Sequence, residues 1–381
     1  MKTALILAAF AFLLLPALRA DDTHYSPVNP ALLYWQAAAM LPHLSDAQAT
    51  ELREMASGKQ PTDPAKLKAL GVDSAARLLR RAAASPAPCD WGLLKEDGPE
   101  ALMPHVSKIR ELANLALVEA EASFAQGRVA EGLDWFLTAH RIARHSGAGE
   151  NLISFLVQSA IETTVLNAAA RSCLGWDEAT RRGYARNLKA LPPLHSSQES
   201  YRGELVLTEW MERINQLAEP RRTEKLDEVF KMAGNASKEA AAQNESFAAP
   251  MAQETLRKEL AAIRELHTRT EAAFGKPWKE GKPELKAIEK DIQQSGFTLV
   301  KIIIPASASC YDKAFVVATL RTMLDAALEH GAQLDEARAA TYHDAFEGKR
   351  LRLQKSTDGA FSLIAAEKHP KGKDIKLKLG R

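Results

Sequence analysis

His140, Arg141, Arg144 and His145 form the densest polar cluster in the apolar middle of this chain. Two imidazoles beside two guanidiniums could hold an anion or a substrate, and imidazole is the side chain that exchanges a proton near neutral pH. His140 continues the apolar face of Val129, Leu133 and Phe136, so it reads first as a core histidine with its nitrogens satisfied. His145 lies five residues on and faces elsewhere, unlike the four-residue spacing of a helical zinc pair, and no metal is expected there. Asn151, Ser154, Gln158 and Glu162 add a polar stripe to the next apolar segment, which could line a cleft but reads better as a solvated edge. With the turn near Gly147, Arg141 falls about two helical turns, on the order of 11 Å, from Glu162, so the two do not make a catalytic pair. The binding candidates are therefore His140, Arg141, Arg144, His145 and Gln158, with no catalytic residue, metal or cofactor assigned.

Elsewhere the chemistry is thin. No Gly-x-Ser-x-Gly, His-Glu-x-x-His, phosphate loop or Cys-x-x-Cys occurs. Dispersed carboxylates could still carry a hydrolysis, so that absence excludes little. Tyr34, Trp35 and Trp135 sit among helical apolar residues and read as core rather than as sugar-stacking platforms. His24 would be fourth after a cut following Ala20, whereas an amino-terminal copper site needs it third.

Helices must position these residues. Most of the chain is rich in Ala, Leu, Glu, Lys and Arg, with apolar residues three and four apart. The pattern predicts a helical segment over 31–41, one from Ser45 to about Ser57, and short helices near 64–70 and 74–84. The stretch 85–99, with Pro86, Pro88, Gly92, Gly98 and Pro99, reads as an irregular connection. Three stronger helices follow, over 106–126, 129–146 and 150–173, joined by short glycine turns and hence antiparallel. The third is apolar on more than one side and reads as the buried centre, with Leu156 and Ile161 inside. Another helix covers 177–191. Between 196 and 294 the helices are long and charged. There Leu256, Leu260, Ile263, His267, Thr270 and Phe274 alternate steps of four and three, a seam that predicts a helical hairpin or arm. After a helix over 309–330, Leu351 and Leu353, then Phe361 and Leu363, alternate across a Ser-Thr-Asp-Gly turn and predict a β-hairpin. Ile375, Leu377 and Leu379 suggest a third strand.

The start of the chain is an address. A lysine, an apolar run over 4–15, Pro16 and a small residue at Ala20 match a cleaved secretory signal. The run is too short to span a bilayer. The expected organisation is a signal peptide at 1–20, an α-helical domain at 21–294 with a charged hairpin at about 196–294, and a C-terminal unit at 295–381. Removing Lys2 and Arg19 with the leader takes the 50 basic residues to 48, equal to the acidic count. That balance gives no general pull toward nucleic acid or an anionic membrane. Three cysteines, Cys89, Cys173 and Cys310, exclude a disulfide framework and leave any pairing open.

The run Leu299 to Pro305, the helix after it, Glu329-His330-Gly331, the stretch Asp344 to Arg352 and the hairpin ending at Asp374-Ile375 resemble a group of exported bacterial proteins of unknown function. Asn29 to Ala37 resembles the same group. The hairpin is itself similar to the C-terminal part of the major pseudopilin of type II secretion. Ala345 stands where the group has proline, and Lys371 and Lys373 stand where pseudopilin-like ends carry acidic residues that can hold calcium. Calcium, which needs several oxygen ligands, is not expected here.

The fold expected is mainly α, an antiparallel helical array with a small C-terminal α+β unit of a helix and a β-hairpin. The function expected is that of an exported binding or scaffold module whose partner is another envelope protein or polymer, with no nucleic acid and no membrane span after signal cleavage. The alternative is a hydrolase or lyase on an envelope or extracellular polymer, working through carboxylates the sequence does not locate.

Overall fold

The structure, a computed structural model, describes residues 28–93, 103–149, 151–236, 252–304, 307–355, 360–368 and 372–380. The signal segment, His24, the hairpin turn at 356–359 and Lys371 lie outside the described residues. The fold is mainly α with a small three-stranded antiparallel sheet at the C-terminus.

Four short helices open the array: α1 (Pro30–Ala39), α2 (Asp46–Ser57), α3 (Pro64–Ala69) and α4 (Asp73–Ala83). Their starts are set locally. Asn29 caps α1 ahead of Pro30, and Ser45 with Gln48 forms a reciprocal capping box on α2. Three long helices follow, α5 (His105–Ala125), α6 (Val129–Gly147) and α7 (Leu152–Cys173), each packed on the next. Gly127, at φ 73°, ends α5, and the Arg128 amide returns to the Ser123 carbonyl at 2.9 Å. A Cβ on Gly132 would stand 2.7 Å from the Phe124 ring, so glycine lets α6 lie close on α5.

The central helix is α7. Val165, Leu166, Ala168, Ala169, Ala170 and Cys173 are fully buried, and α7 touches α5, α6, α15 (Ala308–His330) and the last strand. Among the described residues it is the one helix long and apolar enough to cross a membrane, but 67% of its most apolar stretch is buried in the protein. Ile161 is buried as the pattern requires, whereas Leu156, expected inside, is 39% exposed. Neither is distinguishable by hydrophobicity. Leu156 and Ile153 fall on the side of α7 that no helix covers.

Beyond α8 (Glu178–Lys189) lies a second apolar cluster. It joins α10 (Leu205–Asn215), α11 (Arg221–Ala236), α12 (Gln253–Phe274), α13 (Trp278–Gln294) and α14 (Thr298–Ile303). The α12 seam is seated throughout, including His267 and Thr270, so this stretch has a core of its own and not merely a hairpin seam. A third, aromatic cluster around Tyr201 of α9 (Ser197–Gly203), Phe274 and Tyr311 connects it to the first. Asp312 adds a polar tie there: it accepts from Trp278 at 2.9 Å and pairs with Lys282.

α15 packs on α7, and after the one-turn α16 (Glu336–Ala339) the chain enters β1 (Arg352–Lys355), β2 (Phe361–Lys368) and β3 (Asp374–Leu379). Leu353, Leu363 and Leu377 are register partners, and Leu363 and Leu377 are fully buried on the inner face. Phe361 shares that face at the start of β2 and is 37% exposed rather than buried as expected. Cys89, Cys173 and Cys310 are buried and free.

Candidate functional site

The predicted cluster divides into two layers along α6. Residues one turn apart share a helix face, so His140 and Arg144 point the same way while His145 does not. His140 lies between α7 and α8: its Nδ1 is 2.8 Å from Glu162 Oε2 and its Nε2 is 2.9 Å from the Tyr184 hydroxyl. Arg144 donates to the His140 carbonyl at 2.8 Å and to that of Pro192, with its Nη1 3.5 Å from Glu162. His140, Glu162 and Tyr184 are 0%, 1% and 1% exposed.

Burial sets the protonation states. It holds His140 below the usual imidazole range, more strongly than Glu162 pulls it up. Burial alone would push Glu162 up, but His140 and Arg144 outweigh it and keep the group a carboxylate. A neutral His140 therefore carries its proton on Nδ1, donates it to Glu162, and accepts the Tyr184 hydroxyl proton on Nε2. Each polar group has its partner, and the charge is balanced by Arg144 with Arg321 nearby. This is a closed, satisfied network with no face open to a substrate.

The outer layer is aromatic. Tyr34 of α1 bonds His145 Nδ1 at 2.7 Å, and the Trp91 indole donates to the His145 carbonyl at 2.8 Å. Trp91 also stacks on His105, with centroids 4.7 Å apart. Burial lowers the His145 pKa to about 4, with Arg141 and Arg144 adding to the effect. His145 is thus half-buried and bonded, though more exposed than His140. Arg141 is partly exposed and makes no hydrogen bond or ion pair with the rest of the cluster.

Gln158 belongs to neither layer. Its side chain donates to the His195 carbonyl at 2.8 Å and accepts the His195 amide at 3.0 Å, pinning the 190–196 connection beside Gly147, where a Cβ would collide with it. Ser154, Gln158 and Glu162 are each 1% exposed, so the stripe read as solvated is buried. The polarity of Gln158 and Glu162 reflects bonds to other elements, which helical periodicity does not reveal.

Two open features lie elsewhere. A groove of about 570 Å³ runs between the end of α1, the loop to α2, α2 and the first turns of α5. Leu41, Leu44 and Leu52 share its lining with Arg53, Arg110 and Glu111. Beside it α1 carries no charged residue, yet Val28 before it, Leu32, Trp35 and Met40 are exposed. Trp35 is therefore surface, while Tyr34 and Trp135 are core as expected. Among the described residues no three His, Cys, Asp or Glu converge as a metal site.

No family model, curated protein or solved structure matches this chain. Of the residues that matter here, sequence reasoning named His140, Arg144 and Glu162 but set Arg141 about two turns from Glu162 and did not bring His140 to it. Tyr184 and the groove were not found. Tyr184 offered one signal, an aromatic four residues before Leu188 on the apolar side of an otherwise charged helix.

Proposed function

We propose that the protein is exported and acts in the cell envelope or outside the cell as a binding or scaffold module, its partner an envelope protein or polymer. The first twenty residues supply the export reading, and the C-terminal helix and sheet are consistent with a pseudopilin-like end. The observation that carries the binding reading is where apolar surface stays open. Among the described residues, four of the eight exposed large apolar residues fall within 28–40, on or beside a helix without charge whose end lines a groove. Contiguous exposed apolar surface marks an interaction site. The groove's volume falls within the ~300–1,000 Å³ typical of ligand clefts. By contrast the one buried acid–imidazole pair near the predicted site is sealed.

Fractionation of a bacterial host expressing the full chain tests export, with mass analysis of the amino terminus. The expected product starts at Asp21 and lies outside the cytoplasm; a cytoplasmic chain starting at Met1 refutes the reading. Crosslinking in the envelope with Leu32→Asp and Trp35→Asp tests binding. A folded variant that keeps every crosslink of the parent would show that α1 is not the binding face.

A further inference from the structure

The charge of this chain is not evenly spread. Residues 349–381 hold ten basic side chains against Asp358, Glu367 and Asp374, a net of +7, in a protein whose total is +2. The remaining 348 residues therefore total −5. Folding concentrates the asymmetry further. Strand alternation sends Leu353, Leu363 and Leu377 inward, so Arg352, Ile364 and Lys376, and beside them Gln354, Ser362 and Lys378, form two rows across the outer face. Arg352, Gln354, Lys376 and Lys378 are exposed.

The face is flat and amphiphilic. Its middle strand offers Ser362, Ile364 and, past the bulge, Ala366, with no charge. Cations stand on either side, on strands about 10 Å apart at the usual ~4.8 Å spacing. Ile364 is 7% exposed but belongs to none of the three apolar clusters, and its register partners are the two long cations Arg352 and Lys376. Lys368 and Lys373 extend the charge to the end of the sheet. None of Arg352, Lys368, Lys373 and Lys376 has an ion-pair partner among the described residues. Lys66 with Glu51 and Arg264 with Glu212 show the paired arrangement on the helices, whereas here the cations gather on one face.

We propose that the outer face of the C-terminal sheet docks on an anionic lipid surface. Exposed cations around an uncharged centre complement a layer of phosphate headgroups, where lysine and arginine heads meet phosphate while their stems stay over apolar surface. A balanced net charge would not draw the whole protein to such a surface; this face would orient it there. The inference rests on the exported reading only for where the lipid is met, and it is tested in vitro apart from export.

The mature chain is titrated with phosphatidylcholine vesicles, with and without about one third phosphatidylglycerol, and binding is read by co-sedimentation. The expected result is binding to the anionic vesicles alone, lost when salt shortens the screening length from ~10 Å to ~3 Å. Each cation near the surface contributes about fivefold in affinity, so Arg352→Glu with Lys376→Glu should weaken binding at least 25-fold. Lys258→Glu with Lys290→Glu, the same charge change on exposed helix positions, should change it little. Equal weakening by both pairs would reduce the effect to net charge and overturn the proposal. So would tighter binding to duplex DNA or to a polyuronate than to the anionic vesicles at the same salt. Unchanged helix content in both variants shows that the loss is not unfolding.

Discussion

Glu162→Gln removes one buried negative charge at nearly constant size, and its cost measures whether the α6–α7–α8 network is closed. In the parent, Glu162 accepts the His140 proton at 2.8 Å and faces Arg144 at 3.5 Å. The amide oxygen of glutamine can still accept from His140, so that bond need not be lost. Arg144, 8% exposed, then keeps its positive charge without a counter-ion. Breaking a buried pair from one side costs ~3–5 kcal/mol. The low end applies because 3.5 Å is long and Arg144 retains the His140 and Pro192 carbonyls. Tyr184→Phe instead orphans His140 Nε2, for about 1–3 kcal/mol. Both changes act through His140, so the double variant should depart from the sum by ~0.5–3 kcal/mol. Urea unfolding at neutral pH, followed by helical circular dichroism, reads all four corners of the cycle. Single variants within ~0.5 kcal/mol of the parent, or strict additivity, would mean that water already reaches the cluster, and an acid–base role for Glu162 would return.

The same burial makes histidines acid-sensitive. His105, His140, His145 and His267 all have lowered pKa values, so the unfolded chain takes up protons first, and stability from each is lost as pH falls below about 6.5, through about 4 for His145. Glu119, raised to about 7 by burial, acts in the opposite sense between about 4.5 and 7, and Glu204 and Glu259, also raised by burial, act in the same direction as Glu119. The test is therefore a difference: His145→Gln should flatten the stability–pH slope between pH 6 and 4.5 by up to about 1.4 kcal/mol per pH unit, and an unchanged slope would contradict it. Ile161→Ala should cost ~2–5 kcal/mol and Leu156→Ala ~0.5 or less, by thermal melting; equal costs would misplace the face of α7. On the sheet, Leu363→Ala should cost ~2–5 kcal/mol and Phe361→Ala clearly less, since that ring is over a third exposed and capped by Lys355; the reverse order would mean the strands pack the other way. Gly331→Ala should destabilise by at least ~1 kcal/mol, because Gly331 has φ 53° and its Cβ would meet the Arg181 guanidinium at 2.3 Å; an unaltered melting point would refute the turn geometry.

Periodicity made the helices legible because burial there follows a repeat. The spacing of Ile109, Leu112, Ala113 and Ala116 already marks the inner face of α5, and all four are buried. The hairpin and its third strand were legible from alternation. What periodicity could not separate was a polar residue turned to water from one turned to another helix. Ser154, Gln158 and Glu162 have the same spacing in either case, and the partners of the last two, His195 and His140, lie 37 and 22 residues away. Leu156 and Phe361 failed for the opposite reason. Each obeys its pattern yet is over a third exposed, and alternation or helical spacing alone does not say which end of a face is covered.

This division limits where function can sit. The buried polar groups of His140, Glu162 and Tyr184 are satisfied between elements, and such bonds hold α6, α7 and α8 in one arrangement at the cost of access. A satisfied network of that kind cannot also be a binding surface without opening, and opening would strand a charged Glu162 and Arg144 away from their partners. The surfaces that need no opening are at the two ends of the described chain, the uncharged α1 with its groove and the basic sheet face. Both are anchored to the same helices: α1 packs on α4 and α5, and β3 packs on α7 and α15. A scaffold of this form can hold two unlike contacts at fixed separation, one apolar and one electrostatic. Salt distinguishes them, since raising ionic strength should release a phosphate surface from the sheet while leaving, or strengthening, whatever binds the apolar face of α1.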